Sequence, residues 1–271
     1  MRLGFIFKYT KVTLLLLFVF NITSCNPPSY PKEELVDRLK EMCFKETKIN
    51  VDAYHINSTL YTYVKVENIL DEKAQLSEKA LETIQNVVLC ANRVSLSTDA
   101  KIKFFVVSIF DPNKKFEVVF TQYIEDVRRW ILSNISRSDF FSRSLTEFFS
   151  HQNEYYYDPA KLTGMSLSEF IVRLILKRSK SDLDQNMVVQ VLMNIETVYG
   201  FYKVEDDVPF FEYYLTKIEK DKEVSKVTIG NFTGVSQMLE EYTEEFCKKY
   251  RFKEYKGIVV KTSDGILFSN I

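Results

Sequence analysis

The stretch Lys101 to Thr121, KIKFFVVSIFDPNKKFEVVFT, decides the fold. Lys101 to Phe110 is a near-continuous run of β-branched and aromatic residues. Asp111-Pro112-Asn113 turns the chain, and Lys115 to Thr121 carries it back. Such runs bounded by Asp, Pro and Asn read as two strands and a turn. Immediately upstream, Leu76 to Leu96 has a helical apolar period through Leu81, Ile84, Val88 and Ala91, with Ser77 placed to cap it. Before that, Lys48 to Asn57 alternates through Ile49, Val51, Ala53 and His55. Thr59 to Val66 continues with Leu60, Tyr61, Tyr63, Val64 and Val66, so two strands meet at Asn57-Ser58. Lys32 to Phe44 is an amphipathic helix with Leu35, Leu39, Met42 and Cys43 on one side, and a further helix is expected from Ile124 to Ser133. The order around the opening stretch is strand, strand, helix, strand, strand.

The same order returns near the other end. Phe210 to Ile218 and Val224 to Phe232 alternate as strands. Ser236 to Tyr250 is helical with Leu239, Tyr242, Phe246 and Tyr250 on one side, and Tyr255 to Thr262 turns at Ser263-Asp264-Gly265 into Ile266 to Ser269. Between them, Ser136 to Thr163 mixes Ser, Arg, Phe and Tyr, while Leu167 to Lys177 and Leu183 to Tyr199 have helical spacing. The fold expected is α+β: two ββαββ-like lobes with antiparallel sheets joined by a helical middle segment. The corresponding division is 1–24 leader, 25–31 tether, 32–135 first lobe, 136–205 mainly helical connector and 206–271 second lobe. The halves share no quotable identity; both an old duplication and independent recurrence of a stable unit fit that pattern.

The first 25 residues form a separate unit. Arg2, Lys8 and Lys11 precede an apolar run from Val12 to Phe20, and Ile22-Thr23-Ser24-Cys25 follows. Positive charge, a short apolar helix and small residues before a cut make an export signal. An apolar core of about ten residues is half the roughly 20 that span a bilayer. Ile22-Thr23-Ser24-Cys25 closely resembles the lipobox of bacterial lipoproteins. The resemblance covers about a tenth of the chain and implies an address, not an activity. It implies cleavage before Cys25, a thioether-linked diacylglycerol and an N-acyl chain on that residue, and attachment to a membrane through lipid. Asn26-Pro27-Pro28-Ser29-Tyr30-Pro31 then reads as an extended tether. By the same resemblance, the absence of Asp just after Cys25 implies an outer-membrane position facing the periplasm if the organism has two membranes.

Composition narrows the possibilities. The formal charge is −1, and the leader holds three basic and no acidic residues, so residues 25–271 carry about −4. That offers no global attraction for nucleic acid. Hydrophobic residues make up 46% of the chain, enough for one large core or two smaller ones. Only 7 glycines occur, none between Cys25 and Thr163, so neither a dinucleotide loop nor a P-loop can be drawn there. With Cys25 assigned to lipid, Cys43, Cys90 and Cys247 remain. Each lies in a helical-looking apolar segment, as buried thiols or with one pair bridged. No metal-ligand spacing is present, and no cofactor other than lipid is expected.

His55 and His151 are the 2 histidines, so any Ser-His-Asp or Cys-His centre must use one of them. His55 lies on the apolar side of a strand pattern, where a structural role is expected. His151 opens the polar segment His151-Gln152-Asn153-Glu154-Tyr155-Tyr156-Tyr157-Asp158-Pro159, read as a loop ending at the proline. Tyr155, Tyr156 and Tyr157 cannot all enter one core, and tyrosine supplies contact area with a polar tip, so this loop is a binding candidate. The competing reading packs Tyr155 and Tyr157 inward. A second candidate is Arg128, Arg129 and Trp130, beside Asp126 and followed by Arg137, Asp139 and Arg143. Paired arginines hold phosphate, carboxylate or lipid headgroups, and ion pairs along helix faces give the same pattern. Asp206-Asp207 and Glu244-Glu245 are neighbours in sequence, and neighbours on a helix do not face one another, so a two-carboxylate hydrolase is unsupported.

These readings lead to a noncatalytic, lipid-anchored cell-envelope module that binds a protein or envelope polymer. Two alternatives accompany it. One is an exported hydrolase with dispersed catalytic residues, His151 first among them; the other is a carrier of small hydrophobic ligands between the lobes.

Overall fold

The protein's computed structural model describes residues 30–73, 75–150, 162–185, 195–205, 207–217, 232–262 and 265–270. A 3-10 turn at Lys32–Glu34 leads into α1 (Leu35–Thr47), β1 (Asp52–Ile56), β2 (Thr59–Lys65), α2 (Glu78–Leu96), β3 (Phe104–Asp111) and β4 (Phe116–Tyr123). Then come α3 (Ile124–Ile131), α4 (Arg137–Ser142), β5 (Leu145–Ser150), α5 (Leu167–Gln185), β6 (Ile195–Glu205), β7 (Val208–Lys217), α6 (Phe232–Tyr250), β8 (Gly257–Thr262) and β9 (Gly265–Asn270). The architecture is α+β in two lobes. One sheet has the order β1-β2-β3-β4-β5 and the other β6-β7-β8-β9.

Each sheet is antiparallel except at one pair. β2 lies parallel to β3, and β7 lies parallel to β8. Parallel neighbours need a crossover, and α2 and α6 supply it. The unit helix, strand, strand, helix, strand, strand therefore occurs twice, with β5 added at the edge of the first sheet.

β3 shows why the opening stretch reads as continuously apolar. Phe105, Val107 and Ile109 enter a core beneath α1 and α2, whereas Phe104 and Val106 enter a second core on the opposite face. Side chains alternate across a strand, so a strand buried on both faces loses its polar half. Against the second face pack Phe170, Ile171, Leu174 and Ile175 of α5, with Phe246 and Tyr250 of α6. Those helices also bury Phe211, Tyr213, Ile258 and Val260 of the second sheet. The layers run helices, sheet, helices, sheet.

Several boundaries differ from the sequence reading. α1 runs to Thr47 and ends on Lys48 in the left-handed region (φ 61), so the first strand begins at Asp52. Ser77 caps α2 by accepting the Ala80 N–H at 3.3 Å. The buried side of α2 is Ala80, Val87, Cys90, Ala91 and Val94, while Leu81 stays 44% and Leu89 60% exposed. Small residues let α2 approach its neighbours closely, and that rotation turns the larger leucines outward.

The expected helical connector is divided between the lobes. Leu145–Ser150 joins the first sheet as β5, and Ile195–Glu205 is a strand rather than the end of a Leu183–Tyr199 helix. β-branched and aromatic residues from Thr197 to Tyr202, with Gly200 among them, outweigh the apolar spacing. The second lobe's first hairpin is consequently β6–β7, turned by Asp207 at φ 61. Of the strand expected at Val224–Phe232, Phe232 begins α6 and the rest lies outside the described residues.

Two glycines mark close approaches. A Cβ at Gly164 would meet Asn57 Cβ at 2.8 Å, where the chain entering α5 crosses the β1–β2 turn; one at Gly200 would meet the Tyr213 ring at 2.9 Å. Beside Gly164, the Tyr61 hydroxyl donates to the Thr163 carbonyl at 2.6 Å and the Met165 N–H donates to Thr59 Oγ1 at 2.8 Å.

Asp111 closes β3. Its buried carboxylate accepts backbone N–H groups from Ile69, Asn113 and Lys114 at 3.1, 2.9 and 3.2 Å. Burial alone would raise its pKa, but the backbone donors prevail and hold it below the ordinary Asp value. The stability this provides is fully present above about pH 4 and is lost as pH falls through the depressed folded value. Asp111→Asn, whose amide nitrogen turns a donor toward the Ile69 N–H if its oxygen keeps the Asn113 and Lys114 N–H groups, should cost about 1–3 kcal/mol at neutral pH and flatten the acid limb of stability. Denaturant unfolding across pH 2–7 measures both.

Candidate functional site

The arginine cluster is the sequence-derived candidate that the described residues contain. In α3, Ile124 and Val127 face the first core and carry Asp126 inward with them. α4 begins at Ser136, whose hydroxyl accepts the Asp139 N–H at 3.0 Å, and brings Arg143 back against α3. Arg143 then bridges two carboxylates: Nη1 donates to Asp126 Oδ1 at 3.2 Å and Nη2 to Asp139 Oδ2 at 2.8 Å. Arg129 Nη1 lies 3.6 Å from the same Asp126 oxygen. From the last residue of α6, the Tyr250 hydroxyl donates to Asp126 Oδ2 at 2.8 Å, and Arg143 stacks over its ring at 5.7 Å. The Asp126 side chain is 1% exposed.

Asp126, Asp139, Arg143 and Tyr250 partner one another, while Arg143 Nε has no acceptor among the described residues. Burial pushes the Asp126 carboxyl above its ordinary value against the pull of Tyr250, Arg143 and Arg129, and burial raises the Tyr250 phenol too, so it stays a donor. The hydrogen bond from Arg143 holds Asp139 below the ordinary range. Two guanidinium groups face two carboxylates, and the terminal nitrogens of Arg143 are taken by Asp126 and Asp139. The arrangement joins the two lobes electrostatically. Arg128 instead turns outward to Glu125 at 3.4 Å, and Trp130, 42% exposed, stacks on Phe140 at 4.7 Å.

The other sequence candidates are dispersed. His151 and Tyr155, Tyr156 and Tyr157 lie outside the described residues, as does Cys25. His55 is half-buried; burial lowers its pKa and keeps the ring neutral. Among the described residues, no nucleophile or carboxylate is hydrogen-bonded to it. Glu245 pairs with Arg178 at 2.8 Å and Lys249 at 2.6 Å. Glu244 lines a cavity of about 240 Å³ between α6 and β8, with Glu240, Thr243, Tyr255 and Lys256. Between the lobes the space is filled by rings, with Phe104 5.1 Å from Tyr123 and 5.2 Å from Phe170.

A cluster that the sequence reading missed lies on the second sheet's outer face. Glu212 of β7, fully buried, is paired with Lys203 of β6 and Lys261 of β8, and both ammonium groups lie over the Tyr214 ring. Burial opposes ionisation of Glu212, and the two lysines overcome it and hold its pKa low. Phe201 and Tyr199, about half exposed, share this face. The signal in the sequence was Phe210-Phe211-Glu212-Tyr213-Tyr214, one carboxylate among aromatics on alternate positions.

Neither a protein-family model nor a curated protein matches the chain. Among solved structures, the chain is similar to one titled "Crystal structure of Sex pheromone staph-cAM373 precursor", with 11% identity over 88% of this chain and 77% of that one and a TM-score of 0.24. A likeness at that score carries no argument about fold or function. No helix among the described residues is long and apolar enough to cross a membrane.

Asp126→Ala should destabilise the protein by about 1–3 kcal/mol, because Arg143 Nη1 and the Tyr250 hydroxyl lose their buried acceptor while Arg143 keeps Asp139, and Tyr250→Phe by about 1 kcal/mol. The double variant should be little worse than Asp126→Ala alone, since the hydroxyl has already lost its acceptor. A double-mutant cycle in denaturant measures that coupling.

Proposed function

We propose that the protein is a lipid-anchored cell-envelope module that binds another envelope protein or polymer and performs no catalysis. The observation that carries this reading is the leader, with its basic start, short apolar run and Ile22-Thr23-Ser24-Cys25 end, followed by a proline-rich tether and a core-rich folded body. Cys25 carries diacylglycerol by thioether and an acyl chain on its amine. At about 0.8 kcal/mol per buried methylene, two or three chains hold a protein on a membrane where one does not. The body begins directly after the tether: the Tyr30 N–H donates to the Ser97 carbonyl at 3.2 Å, and the Lys32 N–H to Asp99 Oδ1 at 2.7 Å. Asn26 to Ser29, the four residues between Cys25 and the first anchored residue, at roughly 3 Å each when extended, would let that body stand about 12–15 Å from the lipid.

The internal polar groups support a binding role over a hydrolytic one. Arg143, Asp126 and Tyr250 are hydrogen-bonded to one another, and burial lowers the pKa of His55, a strand residue. Among the described residues, the outer aromatic face of the second sheet is the surface such a module offers, and the segment Tyr155–Tyr157 is the sequence's own binding candidate.

Cys25→Ala tests the anchor. Labelling by a fatty-acid analogue should fall to background, and the protein should leave the membrane fraction. Labelling that persists in the variant would sink the lipoprotein reading.

A further inference from the structure

Cys43 and Cys90 come from different helices and end in one core. Cys43 lies on the buried side of α1 with Leu39 and Met42; Cys90 lies on the buried side of α2 with Val87, Ala91 and Val94. They are 0% and 2% exposed free thiols in one core cluster, close enough that each perturbs the other's ionisation. The crossing is fixed from two sides. One helical turn from each cysteine, Arg93 of α2 pairs with Glu46 of α1 at 2.5 Å, and at the far end of α1 the chain is pinned to the residues that follow α2 through Tyr30 and Lys32. Cys247 belongs to the other core, where burial pushes its thiol up to about 12. Among the described cysteines, one pairing is in reach.

We propose that Cys43 and Cys90 form a disulfide that staples α1 to α2 once the chain is exported, an inference that rests on the export reading above. The bond would clamp the second end of the helix that receives the tether, so that a pull from the lipid anchor cannot peel α1 from the lobe. The chemistry is exchange with an oxidant of the disulfide class. The Cys90 thiolate attacks one sulfur of the oxidant's disulfide and expels a thiolate. The Cys43 thiolate then attacks the Cys90 sulfur of the mixed disulfide and expels the second. The protein loses two electrons and two protons, and the oxidant gains a dithiol. The roles of Cys90 and Cys43 in that sequence are interchangeable, because neither is yet packed against the other when the exchange begins. Both thiols are buried in the folded protein, so the exchange precedes closure of the first core.

The test uses the full chain expressed with its leader. The envelope fraction is unfolded in acid, alkylated without reduction and digested. The staple predicts one peptide pair joining Cys43 to Cys90, about 2 Da below the sum of the two thiol peptides, with Cys247 alkylated. Reduction of the folded protein should lower its Tm by about 5–15 °C. Cys43→Ala/Cys90→Ala, which fills the same core with small apolar groups, should show no change on reduction. Protein that carries fatty-acid label in the envelope with Cys43, Cys90 and Cys247 all alkylated overturns the staple and leaves the export reading standing. Unlabelled protein in the cytoplasmic fraction overturns both. A bridge that includes Cys247 overturns the staple.

Discussion

The constraint on which the structure depends is that β3 is apolar on both faces. Phe105, Val107 and Ile109 are covered by α1 and α2, the helices of their own lobe, but Phe104 and Val106, with Tyr61 and Leu145 beside them, have no cover from that lobe. Burying a large apolar side chain contributes about 1.5–3 kcal/mol, so exposing these four would forfeit on the order of 6–12 kcal/mol. A whole domain is stable by only about 5–15 kcal/mol. The first lobe therefore cannot stand alone, and α5 and α6 are obligatory to both sheets. The lobes are two by topology and one by energetics.

Polar contacts at this junction fix direction rather than supply bulk attraction. Tyr61 and Thr59 hold the start of α5; further along it, Arg173 reaches Glu147 at 3.3 Å and Lys177 donates to the Ser144 carbonyl at 2.8 Å. Asp126, Arg143 and Tyr250 do the same for the end of α6. Apolar layers alone tolerate sliding. Buried donors with one acceptor each do not, because every displaced hydrogen bond strands a desolvated group.

Legibility followed local physics. The strand pair around Asp111-Pro112-Asn113, the cap at Ser77 and the helix Ser236–Tyr250 could be read because turn chemistry, capping and apolar period agree there. The misreadings arose where two patterns overlap. Ile195–Glu205 has helical apolar spacing and strand-forming residues together, and the decision belongs to Tyr213 of β7 and Val172 of α5, which close on Gly200 only once the flanking elements are in place. Parallel pairing of β2 with β3 likewise has no local signature; it follows from where α2 lands. In the arginine cluster the types were visible and the partners were not, since Tyr250 lies 124 positions from Asp126.

The layer order also accounts for the second sheet's outer face. In the first sheet, the face turned away from its own helices is apolar at its centre and takes the helices of the following unit. The second sheet presents the corresponding face, and among the described residues no helical layer follows it. At its centre stand Glu212, Lys203, Lys261 and Tyr214 where the first sheet has Tyr61, Phe104 and Val106. An apolar centre there would repeat the demand for another unit. A carboxylate held between two lysines, each about one-third exposed, ends the demand while keeping the strands in register. Terminal faces of stacked repeats are polar in the same way, and this one leaves Tyr199 and Phe201 at the β6 edge about half exposed.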